Sequence, residues 1–265
     1  MITLITDFGD RGGYAGIMKG VILTINPRCP IIDITHHIAP QNIEEAAFVL
    51  GSAYPFFPDG TVHLVVVDPG VGGPRKPIIV ECERHRFVGP DNGVFSLVFE
   101  RERITGVREI AADHYEHSQV SPTFHGRDIF APVAARLSLG TPAAELGREV
   151  RSWIRLDTLE PEIEKGVIKA RVISVDHFGN LVSNLSRDDF VRLAGSRPFR
   201  ISVGGAVLKG ITRSYSDVRE GEVLALFGSS GLLEISVRNG DCGKQLQVTR
   251  GAPVEILPLA LQYLK

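Results

Sequence analysis

The chain contains only three cysteines, Cys29, Cys82 and Cys242, in 265 residues. An odd number at wide spacing argues against a disulfide framework and suits a reducing compartment. No CxxC pair is present, which leaves a structural zinc without its usual thiolates. No apolar run approaches the roughly 20 residues that span a bilayer. Met1 leads straight into Ile2-Thr3-Leu4-Ile5-Thr6, with neither a basic n-region nor a cleavage-site pattern. A cytoplasmic protein without a membrane partner is the expectation. A formal net charge of -2 supplies no field that would draw nucleic acid. Other absences bear on chemistry. There is no GxSxG nucleophile elbow, no HExxH or HxH pair, no GxxxxGK loop and no GxGxxG opening a helix after a strand. Hydrolases of the serine-elbow type and the standard phosphate and dinucleotide folds are thereby disfavoured.

What remains is an ordinary globular composition, 43% apolar and 23% charged, long enough for one large domain or two modest ones. The first half alternates strand and helix signals. Met1 to Thr6 reads as a strand, and Tyr14 to Ile25 as a helix stopped by Asn26-Pro27. Pro30 to Ile34 reads as a second strand. Asn42 caps a helix, with Glu45 in the reciprocal position and Ile43, Ala46, Ala47, Leu50 and Tyr54 forming its apolar stripe. Val62 to Val67, Ile78 to Cys82 and Arg86 to Val88 are further strands. Asp128 to Leu139 is a helix with Pro132 in its first turn. The pattern predicts an α/β domain with a layered, mostly parallel sheet and flanking helices.

Composition shifts at Leu156 to Lys165, where acidic residues crowd a segment of low apolar content. The expected domains are residues 1–158 and 159–265. The second reads as a smaller, all-β, barrel-like unit built from Val167 to Val175, Phe199 to Val203, Ala206 to Leu208, Val223 to Phe227, Leu232 to Val237, Leu246 to Thr249 and Val254 to Leu257.

Polar residues gather where these elements end. The most informative case is the buried run Val65-Val66-Val67, which stops at Asp68 and passes through Pro69-Gly70-Val71-Gly72-Gly73-Pro74 to Arg75. Open α/β sheets build their ligand crevices at such strand ends. Each cluster alone has a bland reading. Asp7 could cap a helix or close an Asx-turn, Asp91-Asn92-Gly93 and Gly228-Ser229-Ser230-Gly231 could be plain turns, and Asp176 could simply end a strand. His36, His37, His125 and His177 with Asp7, Asp68 and Asp176 form a scattered set without metal-ligand spacing, and no metal site is expected.

Taken in order, the clusters match a known pattern. Thr6-Asp7-Phe8-Gly9, Asp68-Pro69-Gly70-Val71-Gly72, Gly89-Pro90-Asp91-Asn92-Gly93, Phe124-His125-Gly126-Arg127-Asp128, Asp176-His177-Phe178-Gly179-Asn180 and Gly228-Ser229-Ser230-Gly231 run along essentially the whole chain. In this the sequence resembles the S-adenosyl-L-methionine hydroxide adenosyltransferases, a family similar to the fluorinases and chlorinases.

The resemblance implies cleavage of S-adenosylmethionine at ribose C5′ by water or hydroxide, giving adenosine and methionine without a cofactor. It implies that Asp68, Arg75 and His125 handle the nucleophile. Asp68 would orient the water, and the proton would leave through His125 or solvent. Asp7 would hold the ribose hydroxyls, Asp176 the methionine ammonium and Ser229 its carboxylate. Phe178 and Asn180 would line the adenine side, and backbone from Glu234 to Val237 would read its edge. It further implies a homotrimer with sites at subunit interfaces. The halogenases carry Tyr at the position of Asp68, a small hydroxylic residue at that of Gly126, and a long insertion where Glu83-Arg84-His85-Arg86 joins two strands here. These departures favour water over halide. A module that binds adenosine or S-adenosylmethionine with negligible turnover is the alternative, and a metal-dependent hydrolase the third reading.

Overall fold

The computed structural model describes residues 1–111, 120–195 and 197–258, which fall into two compact units, Met1–Leu156 and Asp157 onward. In the first unit the strands are β1 (Ile2–Thr6), β2 (Ile31–Thr35), β3 (Val62–Val66), β4 (Pro77–Cys82), β5 (Arg86–Pro90), β6 (Ile104–Ile110) and β7 (Gly147–Glu149). The helices are α1 (Tyr14–Ile25), α2 (Ile43–Ala53), α3 (Ser96–Arg101), α4 (Ala131–Ser138) and α5 (Ala143–Leu146).

The seven strands form one sheet in the order β2-β1-β3-β5-β4-β6-β7. Pairs β1–β2, β1–β3 and β3–β5 are parallel, whereas β4–β5, β4–β6 and β6–β7 are antiparallel. The layered α/β architecture expected from sequence is present, but its sheet is mixed. The reason is local: only Glu83-Arg84-His85 joins β4 to β5, too short for the crossover that a parallel pair needs.

This topology positions the crevice. From β1 the chain crosses through α1 to β2 on one side, then through α2 to β3 on the other. The strand order reverses at β1, and the gap beyond the carboxyl ends of β1 and β3 is where open sheets bind ligands. Asp7 follows β1 and Asp68 lies just past β3, on strands paired in register at Thr6 and Val66. Every residue of β3 is buried. Burial of an aliphatic side chain contributes roughly 1.5–3 kcal/mol, so the strand carrying Asp68 is firmly seated. β4 runs antiparallel to β5, so its first residues return to the same sheet edge and bring Arg75 back towards Asp68.

Local signals hold up at α2, where Asn42 Oδ1 accepts the Glu45 N–H at 3.0 Å. Glu45 reciprocates towards the Asn42 side-chain amide and the Ala39 N–H rather than the cap's own N–H. The helix expected from Asp128 starts earlier and differently. Gly126–Phe130 forms a π turn in which the Ala131 N–H donates to Gly126 O, and α4 continues from it.

In the second unit, β8 (Glu162–Glu164), β9 (Val167–Val175), β10 (Leu181–Ser186), β11 (Phe199–Val203), β12 (Ala206–Leu208), β13 (Val223–Phe227), β14 (Leu232–Val237) and β15 (Pro253–Pro258) are joined by α6 (Arg187–Ala194) and α7 (Cys242–Leu246). The order β12-β11-β15-β9-β10-β14-β13 is antiparallel throughout, with β8 added on β9. Its two ends, β12 and β13, come back into contact. The Thr212 N–H also donates to Ala225 O on β13. The result is a nearly closed barrel around Leu181, Leu185, Leu233 and Ile235. The strand expected at Leu246–Thr249 is absent. Asp241 caps α7 through the Lys244 N–H, and Gln247 ends it at φ 53°, so the alternation there is a helix end followed by a turn.

Candidate active site

Asp68 and Arg75 form a buried ion pair, their side chains 5% and 9% exposed. Arg75 Nε donates to Asp68 Oδ1 and Oδ2 at 3.0 Å, and Nη2 reaches Oδ2 at 2.5 Å. The same Nη2 lies 2.6 Å from His125 Nδ1. The guanidinium also sits 5.3 Å from the Phe130 ring centroid, over a side chain of the π turn. Arg75 is thus held by a carboxylate, an imidazole and an aromatic face at once. A guanidinium fork suits that geometry and a point-charge ammonium does not.

The contact fixes the state of His125. Arginine has only donors, so Nδ1 must be the acceptor and the neutral ring carries its hydrogen on Nε2. Burial and the neighbouring Arg75 charge push the His125 pKa below its ordinary value, against an opposing pull from Asp68 and Asp128. Asp128 is fully buried, paired with Arg127 at 2.6 Å, and accepts the Ser121 N–H at 2.8 Å, which anchors the segment leading to His125.

The loop after β3 is braced from two sides. Asn92 Nδ2 donates to Val67 O at 2.9 Å, and the Asp91 N–H to Lys76 O at 2.8 Å. Gly72, at φ 76°, packs so closely on Pro122 that a Cβ there would come within 2.4 Å of the Pro122 carbonyl oxygen. The loops carrying Arg75 and His125 therefore touch backbone to backbone. Asp91, which reads as a turn residue, is buried and accepts the Ile154 N–H.

Asp7, Asp68, His125 and Gly126 line one cavity of about 250 Å³, together with Phe8, Gln41, Val66 and Phe124. Among the described residues Asp7 and Asp68 are its only charged lining groups, and Arg75 is paired with Asp68 behind the lining. Sequence reasoning missed Phe8, Phe124 and Gln41 as lining groups. The two aromatics form a trio with Tyr14, centroids 5.2–6.0 Å apart, in which Phe124 meets both other rings edge-to-face and Phe8 is tilted against Tyr14; its sequence signal is that of any core aromatic. Gln41 donates its backbone N–H to Asp7 Oδ2 at 2.8 Å, a contact that leaves no trace in residue type. A cavity of this size lies below the roughly 300–1,000 Å³ of sites for drug-sized ligands, and so suits a fragment of a larger molecule.

The second unit has its own cavity of about 570 Å³, lined by Phe178, Asn180, Tyr215, Val237, Asn239, Gly240 and Asp241. Phe178 is 73% exposed. Asn180 is buried and donates its amide to Asp176 Oδ2 at 2.8 Å. Asp176 Oδ1 also takes the N–H groups of Phe178 and Asn180, so this carboxylate closes its own turn. Glu234 sits beneath, accepting from Tyr215 Oη at 2.6 Å and Ser236 Oγ at 2.7 Å. Tyr215 was not read from sequence. Burial and the Glu234 hydrogen bond raise its pKa and keep it a neutral donor. Ser229 is exposed on the β13–β14 turn and is not among the residues lining this cavity. No group of three or more metal-ligating side chains occurs among the described residues.

An α/β unit with a carboxylate–guanidinium–imidazole trio at its switch point, followed by a barrel with an aromatic-lined cavity, defines a small-molecule enzyme. The SAM hydroxide adenosyltransferase N-terminal domain matches residues 2–147 and the corresponding C-terminal domain residues 170–255. The chain belongs to the SAM hydroxide adenosyltransferase family. It is 37% identical to the (R)-S-adenosyl-L-methionine hydrolase of Salinispora tropica, over 94% of this chain and 95% of that one. The (R)-S-adenosyl-L-methionine hydrolase of Methanocaldococcus jannaschii is 36% identical over 97% and 95%. A crystal structure of an uncharacterized conserved protein from Thermotoga maritima superposes with a TM-score of 0.88 at 40% identity, covering 97% of this chain and 100% of that one. Fluorinases are among the more distant relatives.

Proposed function

We propose that this protein hydrolyses S-adenosyl-L-methionine to adenosine and L-methionine, water or hydroxide attacking ribose C5′ as the thioether leaves. The observation that carries the reading is the cavity holding Asp7, Asp68 and His125 together, backed by Arg75. A sulfonium is cationic, and the charged lining of this cavity is anionic, which draws that substrate and repels a halide.

In the proposed mechanism Asp7 accepts hydrogen bonds from the ribose hydroxyls, as a carboxylate's paired oxygens allow. Asp68 accepts a hydrogen bond from the attacking water. His125 Nε2–H directs the water's lone pair. As the C–O bond forms and the C–S bond breaks, the positive charge passes from sulfur to the incoming oxygen. That oxygen becomes strongly acidic, and its proton passes to Asp68 and on to solvent. Arg75 grips both oxygens of Asp68 through its guanidinium fork and holds His125 in the required tautomer. Because Nδ1 is committed to Arg75, His125 serves as donor and Asp68 as the proton's first acceptor.

On this reading Phe178, Tyr215, Asn180 and backbone from Glu234 to Val237 hold adenine, while Asp176 and Ser229 take the amino-acid end. The enzyme needs no cofactor or metal, works in the cytoplasm and assembles as a homotrimer with sites at subunit interfaces. The test is incubation of purified protein with S-adenosylmethionine, followed by chromatography for adenosine and methionine, with and without EDTA. Equal yields of both products, unchanged by EDTA, support it. Tight adenosine binding without product would point instead to a binding module. Light scattering checks the trimer.

A further inference from the structure

Asp7 is the substrate-facing carboxylate on the proposed reading, yet nothing in its own residue type explains how its loop is held. The answer lies one layer behind it. Thr6 is fully buried, and its Oγ1 accepts the Phe8 N–H at 3.3 Å while lying 2.9 Å from His36 Nδ1. His36 is itself buried. Its Nε2 lies 3.1 Å from Asp33 Oδ1, a close polar contact off the line of a well-formed hydrogen bond. Asp33 Oδ2 in turn accepts from Lys19 Nζ on α1 at 2.5 Å.

The chain of contacts has a direction. The Asp33 carboxylate, 3.1 Å away, would repel a lone pair on Nε2, so the imidazole hydrogen sits there and Nδ1 accepts from the Thr6 hydroxyl. The hydroxyl oxygen is then free to accept from the Phe8 N–H, which sets the orientation of the Asp7–Phe8 peptide. Burial works against ionisation of Asp33, but the Lys19 hydrogen bond and the neighbouring His36 and Lys19 side chains hold its carboxyl below the ordinary value. Backbone from the same segment completes the cradle. The Gly9 N–H donates to His36 O at 2.8 Å, the Ile38 N–H reaches Thr6 O at 3.4 Å, and the Gln41 N–H takes Asp7 Oδ2. Gln41 does so at φ 65°, a left-handed conformation that a non-glycine residue adopts at a cost.

We infer that His36, with Asp33 and Lys19 behind it, is a positioning residue for Asp7, and that this relay sets substrate affinity without touching the reacting atoms. The inference rests on the assignment of Asp7 to substrate binding. It differs from the nucleophile trio in location and in kinetic consequence. A device that aims a ground-state binding group changes KM, whereas a residue needed only for integrity lowers the active fraction and thus kcat.

The experiment uses the full-length protein and the variants Asp33→Ala, His36→Phe and His36→Gln, with kcat and KM for S-adenosylmethionine and a calorimetric Kd for adenosine. The expected result is a KM and Kd raised roughly three- to tenfold in Asp33→Ala and His36→Phe, the span that one hydrogen bond commands, with kcat within about twofold. His36→Gln, whose amide can still meet Thr6, should restore part of the loss. Asp33 is partly solvent-exposed, so Asp33→Ala keeps the test open if His36→Phe does not fold. Unchanged KM and Kd, or a fall in kcat alone, would overturn the inference. Wild-type protein that binds adenosine but makes no product would overturn the hydrolase reading instead, leaving the Kd comparison to decide the role of the relay.

Discussion

Arg75 Nη2 donates to His125 Nδ1 at 2.6 Å, and this one contact decides which form of the imidazole belongs to the folded site. Protonation at Nδ1 would set a second cationic donor against the guanidinium. The His125 pKa lies below the ordinary 6.5, through burial first and Arg75 second. An unfolded chain therefore takes the proton at a higher pH than the folded one. The stabilisation that neutral His125 provides is complete above pH 6.5 and is lost as pH falls through the lowered value. The expected profile of kcat/KM is flat near neutrality with one acid limb below the ordinary histidine range. A pH–rate series checks it, and the limb should vanish in His125→Asn.

Arg75→Lys retains the charge but loses the fork. One ammonium cannot serve both Asp68 oxygens and His125 while resting on Phe130. The expected outcome is a loss of about 10²-fold or more in kcat with adenosine affinity preserved. Arg75→Ala goes further, leaving Asp68 buried without its partner, and should cost about 3–5 kcal/mol of stability. Steady-state kinetics and denaturant titration separate the two effects.

Gly72→Ala tests the backbone contact between the two site loops. The added methyl would meet the Pro122 carbonyl oxygen, a group with no rotamer to move, at a φ that disfavours any Cβ. Relaxation must shift Pro122, and with it His125, relative to Arg75. A stability loss of about 1–3 kcal/mol is expected. A fall in kcat beyond the fraction unfolded should accompany it, since small displacements of positioned groups carry large rate penalties. Thermal melts and kinetics on the same sample provide the check.

His63 lies far from this chemistry, fully buried between Thr3 and His85, with its pKa lowered to about 3 by burial and by the neighbouring imidazole. The unfolded chain binds this proton from pH 6.5 downward and the folded chain only near 3. Stability from His63 is therefore complete above 6.5 and drains away as pH falls towards 3. His63→Gln should flatten the stability curve over that window. Urea midpoints measured along an acid series read this directly.

Much of this is legible in the residue order alone. The helix Tyr14–Ile25 follows from an apolar pattern stopped by Asn26-Pro27, and α2 from its Asn42 cap, because both signals are local. Asp7, Asp68 and His125 were legible as polar groups at element ends. What escaped reading depended on partners distant in sequence. The mixed sheet follows from a three-residue link between strands that look alike individually. Tyr215 enters a cavity with Phe178 across a fold that its own neighbours do not announce. The Leu246–Thr249 stretch imitates a strand because apolar and polar types alternate along it, whereas the chain there ends a short helix and turns at the left-handed Gln247.

The π turn at Gly126–Phe130 has a consequence for how the site tolerates change in chain length. One wide turn places an extra residue between His125 and the apolar stripe of α4. Deleting a single residue there would let the helix close to ordinary pitch, and each residue of such a helix turns the chain by about 100°. Phe130, Val133 and Leu137 could keep their places in the core while the imidazole swung away from Arg75. The enzyme would stay folded and lose its chemistry, so the spacing of this segment is as much a part of the site as the residues it carries.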